Sequence, residues 1–232
     1  MAIYQEIAAV LEAEIKKNYN AGELLPSETQ LAGRFSVNRH TVRHAIDELV
    51  KEGLILRKQG KGNIVQAPIS RYLLRKKADF TGNLLAEPNS ISSKVVKSSV
   101  ILASASIAAA LNIEVGKKIV HIQTIRVLST QPICIIDHYL DQEEWWFRFK
   151  YFSKGSLHQF IESELDLQVT RKSTQVRAVM PTRAEVKLLQ MEEGNIPLVK
   201  MKTINVVKNS DRVMEYSVSV TRSDLVELVM EH

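Results

Sequence analysis

The chain has 232 residues, a net charge of +5, and 45% hydrophobic against 25% charged residues. That balance excludes a disordered or fibrous protein and suits an ordinary soluble one, long enough for two domains of roughly 70 and 150 residues. The single cysteine, Cys134, excludes an internal disulfide and cysteine-based zinc fingers, and points to a reducing compartment.

Near the start, Glu6, Glu12 and Glu14 do not read as a secretory signal. The longest apolar runs, such as 100–103 and 133–136, are strand-sized and far short of the ~20 residues of a membrane span. A cytoplasmic protein without membrane contact is expected. Its positive charge is concentrated. Residues 1–77 carry 13 Lys and Arg against 8 Asp and Glu, while residues 78–232 carry 18 of each. Within the first third, residues 34–61 hold seven basic and three acidic residues, the footprint of a polyanion contact or of a solvated basic face.

Ile3, Ile7, Leu11 and Ile15 recur at i, i+4, i+8 and i+12, one stripe of an amphipathic helix. Gly22 and Pro26 break the chain, and Ser27-Glu28-Thr29-Gln30 reads as a capping box opening a second helix that buries Leu31, Ala32 and Phe35. After a tight turn at Ser36-Val37, Asn38 is a good N-cap for a third helix. Its inward stripe is Val42, Ala45, Ile46, Leu49 and Val50, and Gly53 is suited to end it. Two helices around a tight turn, the second opening on Arg39, His40, Thr41 and Arg43, follow the helix-turn-helix plan that meets base edges in DNA. Residues 54–58 and 63–65 then form a hairpin around Gln59-Gly60-Lys61-Gly62, either a wing against DNA or a plain surface hairpin.

Residues 66–70 have turn composition and lead into the basic stretch 71–77, so a DNA-binding domain over 1–67, a linker over 68–78 and a second domain over 79–232 are expected. From Lys94 onward, strands at 94–103, 119–128, 133–139, 169–180, 198–207 and 213–220 alternate with short helices capped by Ser104, Ser156 and Thr182. Antiparallel strands with helices between them make an α+β domain.

The segments Leu25-Pro26-Ser27-Glu28, Leu31-Ala32, Phe35-Ser36-Val37, Thr41-Val42-Arg43 and Gln59-Gly60-Lys61-Gly62 resemble the winged helix of GntR-family bacterial regulators. By position, the resemblance implies DNA contacts from Thr29, Asn38, Arg39, Thr41, Arg43, Gly60 and Gln59; His40 and Lys61 join them by their place on the third helix and the turn. Thr29 stands where many relatives have arginine, and Asn38 keeps the capping chemistry of the commoner Ser or Thr. The rest of the chain is similar to the HutC branch, whose effector (UTRA) domain has a chorismate-lyase-like antiparallel sheet. The cues include 110–113 with Gly116, Ile125-Arg126, 155–158, 215–217 and 222–224. Segments 37–41, 135–139 and 215–221 look closest to phosphonate-metabolism regulators.

That likeness implies an effector site at Arg126, Ser156, His158, Glu215 and Thr221, where a guanidinium fork and a helix N-terminus suit phosphate or phosphonate. His158 replaces a tyrosine common in sugar-phosphate binders, which speaks against a sugar ligand. The competing reading pairs Arg126 internally with Asp137 or Glu215 and leaves nothing to bind. No cofactor or metal is expected, because Asp137 and His138, adjacent on a strand, face opposite ways. Trp145-Trp146-Phe147 reads as core or dimer packing, and Cys134 as a buried thiol. One helix-turn-helix reads only a few base pairs, so a homodimeric repressor on a palindromic operator, modulated by a small anionic effector, is the leading reading. A second domain that only dimerises, or one with enzymatic activity, are the alternatives; no nucleophile–base pair supports the latter.

Overall fold

The structure, a computed structural model, describes residues 2–58, 60–66, 69–86, 90–141, 143–191 and 194–231. It divides into two compact units, Met1–Ile69 and Ser70–His232.

The first unit holds α1 (Ile3–Asn18), α2 (Glu28–Phe35), α3 (Arg39–Lys51) and a hairpin of β1 (Ile55–Lys58) and β2 (Gly62–Val65). The stripes Ile7-Leu11-Ile15 and Val42-Ala45-Ile46-Leu49 meet Leu31, Ile55 and Val65 in one core. Each fully buried Leu or Ile there contributes about 1.5–3 kcal/mol. Ser27 Oγ accepts from Gln30 N while Gln30 Oε1 accepts from Ser27 N, so α2 begins with its box closed. Ser36, at φ +54°, reverses the chain in the left-handed region before α3 starts. Gly53, at φ +73°, ends α3, and its amide bonds the carbonyl of Val50. The left-handed backbone there favours glycine. Residues 22–25 bond back to β2 through Gly22 N to Val65 O and Leu25 N to Asn63 O, which anchors the wing's inner strand.

In the second unit, β3 (Ser70–Leu73) is followed by α4 (Phe80–Asn83), β4 (Leu84–Leu85), β5 (Ile91–Leu102), α5 (Ala105–Leu111), β6 (Lys118–Leu128) and β7 (Gln131–Leu140). A 3-10 turn (Glu143–Trp145) leads into α6 (Trp146–Phe149), α7 (Leu157–Leu165), β8 (Val169–Val179), α8 (Arg183–Leu188), β9 (Leu198–Val207), β10 (Val213–Arg222) and β11 (Val226–Val229). An antiparallel six-stranded sheet runs in the order β5-β6-β7-β10-β9-β8, and β11-β3-β4 form a small second sheet. This is the α+β architecture that the strand pattern implied. α7 packs with Ile122, Leu140, Phe149 and Phe152 as one core cluster, while Ile125, Ile135, Leu189 and Leu198 form another.

The linker boundaries need correction. Residues 70–73, expected to be connecting chain, are β3, paired in parallel with β11 and antiparallel with β4. Tyr72 and Leu73 are buried anchors within a stretch that composition marked as basic and polar; the remainder, 74–78, lies within the second unit. The expected boundary between the DNA-binding domain and the linker, at residues 67 and 68, lies outside the described residues. Ser104 precedes α5 as its cap residue, but its hydroxyl pairs with Ser106 Oγ and makes no bond to the helix backbone. Trp145 and Trp146 pack against the core, whereas Phe147 is exposed.

Candidate functional site

The first surface is built at the start of α3. Asn38 Oδ1 accepts from Thr41 N at 2.9 Å and from the Thr41 hydroxyl at 3.1 Å, so one side chain caps the helix and fixes Thr41. Thr29, Arg39, His40, Arg43, Gly60 and Lys61 are all exposed within this unit, and Gly60 holds φ +76° at the wing tip. Gln59 lies outside the described residues. Sequence reasoning missed the organiser of this surface, Glu28. Its carboxylate accepts from Arg39 Nε at 3.1 Å and Arg43 Nη2 at 3.3 Å, with Arg57 at 3.6 Å. Burial of Glu28 opposes ionisation, but Arg43 and Arg39 outweigh it and hold the carboxyl below its usual range. One carboxylate thus orients arginines on α3 and β1, and both α3 arginines keep donors for a phosphate or a guanine edge. The signal was the glutamate one residue after the Ser27 cap, which reads as dipole chemistry alone until the turn brings α3 beside it.

The second site lies on one face of the large sheet. Register sets Arg126 opposite Cys134 and Cys134 opposite Thr221; His138 faces Ser217, which faces Thr203; Leu140 faces Glu215, which faces Asn205. Alternation with a period of two puts these side chains on the same face. Arg126 is 1% exposed, and Nη1 donates to the carbonyl oxygen of Gly155 at 3.0 Å. Its Nε has no partner among the described residues, and its guanidinium lies 5.6 Å from the Phe80 ring centroid. Burial lowers its pKa, opposed by Cys134, Asp79, Tyr72 and Glu215. Among the described residues it has no ion-pair partner: Asp137 instead accepts from Gln123 and pairs with His121, on the opposite face.

Glu215, 0% exposed, takes His138 Nδ1 at 2.5 Å, His158 Nε2 at 2.7 Å and Asn205 Nδ2 at 2.6 Å. Burial alone would raise its pKa, but His158 and the donated bonds hold it well below the carboxylate range. Burial pushes His138 down despite that neighbour. As His138 Nδ1 donates to Glu215, its Nε2 accepts from Thr124 Oγ1, 3.1 Å away. Tyr72, Asp79, Phe80, Arg126, His138, His158, Arg171 and Asn205 are among the walls of a cavity of about 40 Å³. A cleft of about 420 Å³ adjoins it, sharing Ala78, Asp79 and His158 and adding Lys76, Lys77 and Lys208.

Of the expected effector residues, Arg126 and His158 line this cavity and Glu215 braces it. Ser156 is buried at the start of α7, where its hydroxyl accepts from Gln159 N, next to the Gly155 carbonyl that Arg126 uses. Thr221 is not brought in: its hydroxyl donates to Cys134 Sγ, and it lines a separate small cleft with Tyr72 and Val226. Burial raises the Cys134 pKa to about 12, as a packed thiol requires. Among the described residues no cluster of three metal-ligating side chains occurs, and no helix is long and apolar enough to cross a membrane.

Residues 3–65 match the model of bacterial regulatory proteins of the gntR family, and residues 87–227 match the UTRA domain. The chain belongs to the GntR family. It is 38% identical over 229 residues to the probable transcriptional regulator PhnF of Escherichia coli K12, covering 99% of this chain and 95% of that one. It is 26% identical to the transcriptional repressor NagR of Bacillus subtilis, covering 96% and 91%. A crystal structure of a PhnF C-terminal domain matches with a TM-score of 0.57 at 32% identity over 60% of this chain and 87% of that one. PhnF from Mycobacterium smegmatis shares the fold, with a TM-score of 0.69 at 21% identity over 97% and 98%. This GntR-family chain is therefore a DNA-binding transcriptional regulator with a winged-helix unit and a UTRA unit.

Proposed function

We propose that the protein is a cytoplasmic repressor that binds a palindromic operator as a homodimer and is modulated by a small anionic effector, a phosphonate or phosphate compound, held at Arg126. The observation that carries the reading is the buried Arg126, hydrogen-bonded to one carbonyl and, among the described residues, without an ion-pair partner. A charge so placed is expensive unless an anion completes it, and a tetrahedral oxyanion matches the guanidinium fork. The likeness to phosphonate-metabolism regulators supports the phosphorus chemistry, and the repressor names of relatives such as NagR support repression. On the DNA side, Arg39, Arg43, Thr41, Asn38, Thr29, His40, Gly60, Lys61 and Gln59 are the contact set, with two-fold pairing needed for a useful site size.

Coupling requires that the effector bind the DNA-competent and DNA-incompetent arrangements unequally. Tyr72, Ala78, Asp79 and Phe80 of the cavity wall belong to the chain immediately after the DNA-binding unit, so a ligand that presses on them acts on that connection. Thermal shifts over a panel of phosphonates, sugar phosphates and inorganic phosphate test the effector. A saturable shift with a compact phosphorus oxyanion, absent in Arg126→Met, is expected; no shift with any of them overturns the reading.

A further inference from the structure

We infer that the effector is a zwitterion, carrying an ammonium group beside the oxyanion that Arg126 holds, and that Asn205 recognises that ammonium. The inference rests on the effector reading above and narrows its chemistry. Asn205 is 2% exposed and lines the cavity. Its Nδ2 donates to Glu215 Oε2 at 2.6 Å, and its Oδ1 is buried and has no partner among the described residues. The amide cannot be turned over: the ionised carboxylate of Glu215 only accepts, so the nitrogen must face it and the oxygen is left as a bare acceptor. A buried acceptor in a ligand cavity asks for a donor from the ligand. A fully ionised alkylphosphonate dianion has none to give.

The charges agree. The cavity wall holds two cations, Arg126 and Arg171, and one anion, Asp79; the Glu215 carboxylate is bonded to three further wall residues, His138, His158 and Asn205. With Glu215 already answered by those three donors, the two arginines beside Asp79 favour a ligand that carries both signs over a polyanion set against Asp79. The two ends are also spatially separate. Arg126 is on β6 and Asn205 on β9, with β7 and β10 between them and a register offset of six residues along the strands, and both side chains reach the one cavity. An aminoalkylphosphonate has the required layout: oxyanion at one end, ammonium at the other, a short apolar spacer between them.

The test is calorimetric titration of the full-length chain with ethylphosphonate and with 2-aminoethylphosphonate, flanked by its one- and three-carbon homologues. At least one amino compound is expected to bind about tenfold more tightly than ethylphosphonate, the worth of one satisfied buried acceptor. In Asn205→Ala that advantage should fall to about twofold or less while ethylphosphonate binding persists. If ethylphosphonate binds as tightly as every amino homologue, the inference is overturned and the effector reading stands. An advantage undiminished in a folded Asn205→Ala also overturns it. If none of these compounds binds, the inference is overturned, and the wider panel of phosphates and phosphonates decides the effector reading separately. Should Asn205→Ala not fold, the wild-type comparison decides alone.

Discussion

Arg126 donates to the carbonyl oxygen of Gly155 at 3.0 Å, from a position that is 1% exposed. Gly155 precedes α7, the helix that carries His158, so the guanidinium is tied to the helix start that also supplies a donor to Glu215. A backbone carbonyl compensates a buried cation only in part. On the proposed reading, the arrangement trades stability of the ligand-free protein for an anion site.

That trade is measurable. Arg126→Met removes the partly compensated charge and keeps most of the volume. It is expected to raise the stability of the ligand-free second unit by about 1–2 kcal/mol while abolishing the phosphonate-induced thermal shift. Denaturant melts with and without ligand check both halves; a destabilised variant that still responds to phosphonate contradicts the account.

Glu28 holds Arg39 and Arg43, the proposed DNA readers, at 3.1 and 3.3 Å. Glu28→Gln frees both side chains and adds one net positive charge. Non-specific DNA binding should tighten at low salt, while the ratio of specific to non-specific affinity falls by up to about tenfold, or ~1.4 kcal/mol. Competition titrations against random-sequence DNA read the ratio, and an unchanged ratio rejects the positioning role.

Arg43→Ala should cost operator affinity by about 1–3 kcal/mol if the contact is bidentate to a base pair. Anisotropy titration against a selected operator tests it; unchanged affinity removes Arg43 from the readers.

Acid should loosen the second unit. Burial sets the His138 pKa below its ordinary 6.5, so the unfolded chain takes up that proton first and stability declines as pH falls below about 6.5. Glu215 lies well below 4.5 in the fold, where its two histidine partners overcome burial. Its contribution is complete above 4.5 and is lost as pH falls beneath that value. The two effects have the same sign. Melting temperature should drop between pH 7 and pH 5 for the native chain and less for His138→Gln; equal slopes contradict the assignment.

What could be read from the residues was what short spacing decides. The caps at Ser27 and Asn38, the stripe from Val42 to Leu49 and the glycine at 53 are local, and each sits where it was expected. Arg126 was legible for a different reason, through the likeness of its segment to the HutC branch. Asp79, Arg171, His138 and Asn205 were not, because only sheet register and the return of 70–83 over the sheet face bring them together. The same register removes Thr221, which pairs across from Cys134 and spends its hydroxyl there. The strand at 70–73 was hidden by its flanking basic residues, since all four of its residues pair with β11, more than 150 residues away.

The central claim is that an oxyanion at Arg126 changes how the first unit holds DNA. Its most direct test is the affinity of the full-length protein for a selected operator, measured by fluorescence anisotropy at fixed salt across a phosphonate titration, in the native chain and in Arg126→Met. The account predicts a shift of about tenfold or more in the native chain, within the usual 1–3 kcal/mol of coupling, and none in the variant. Equal operator affinity with and without ligand, or the same shift in both proteins, would contradict it.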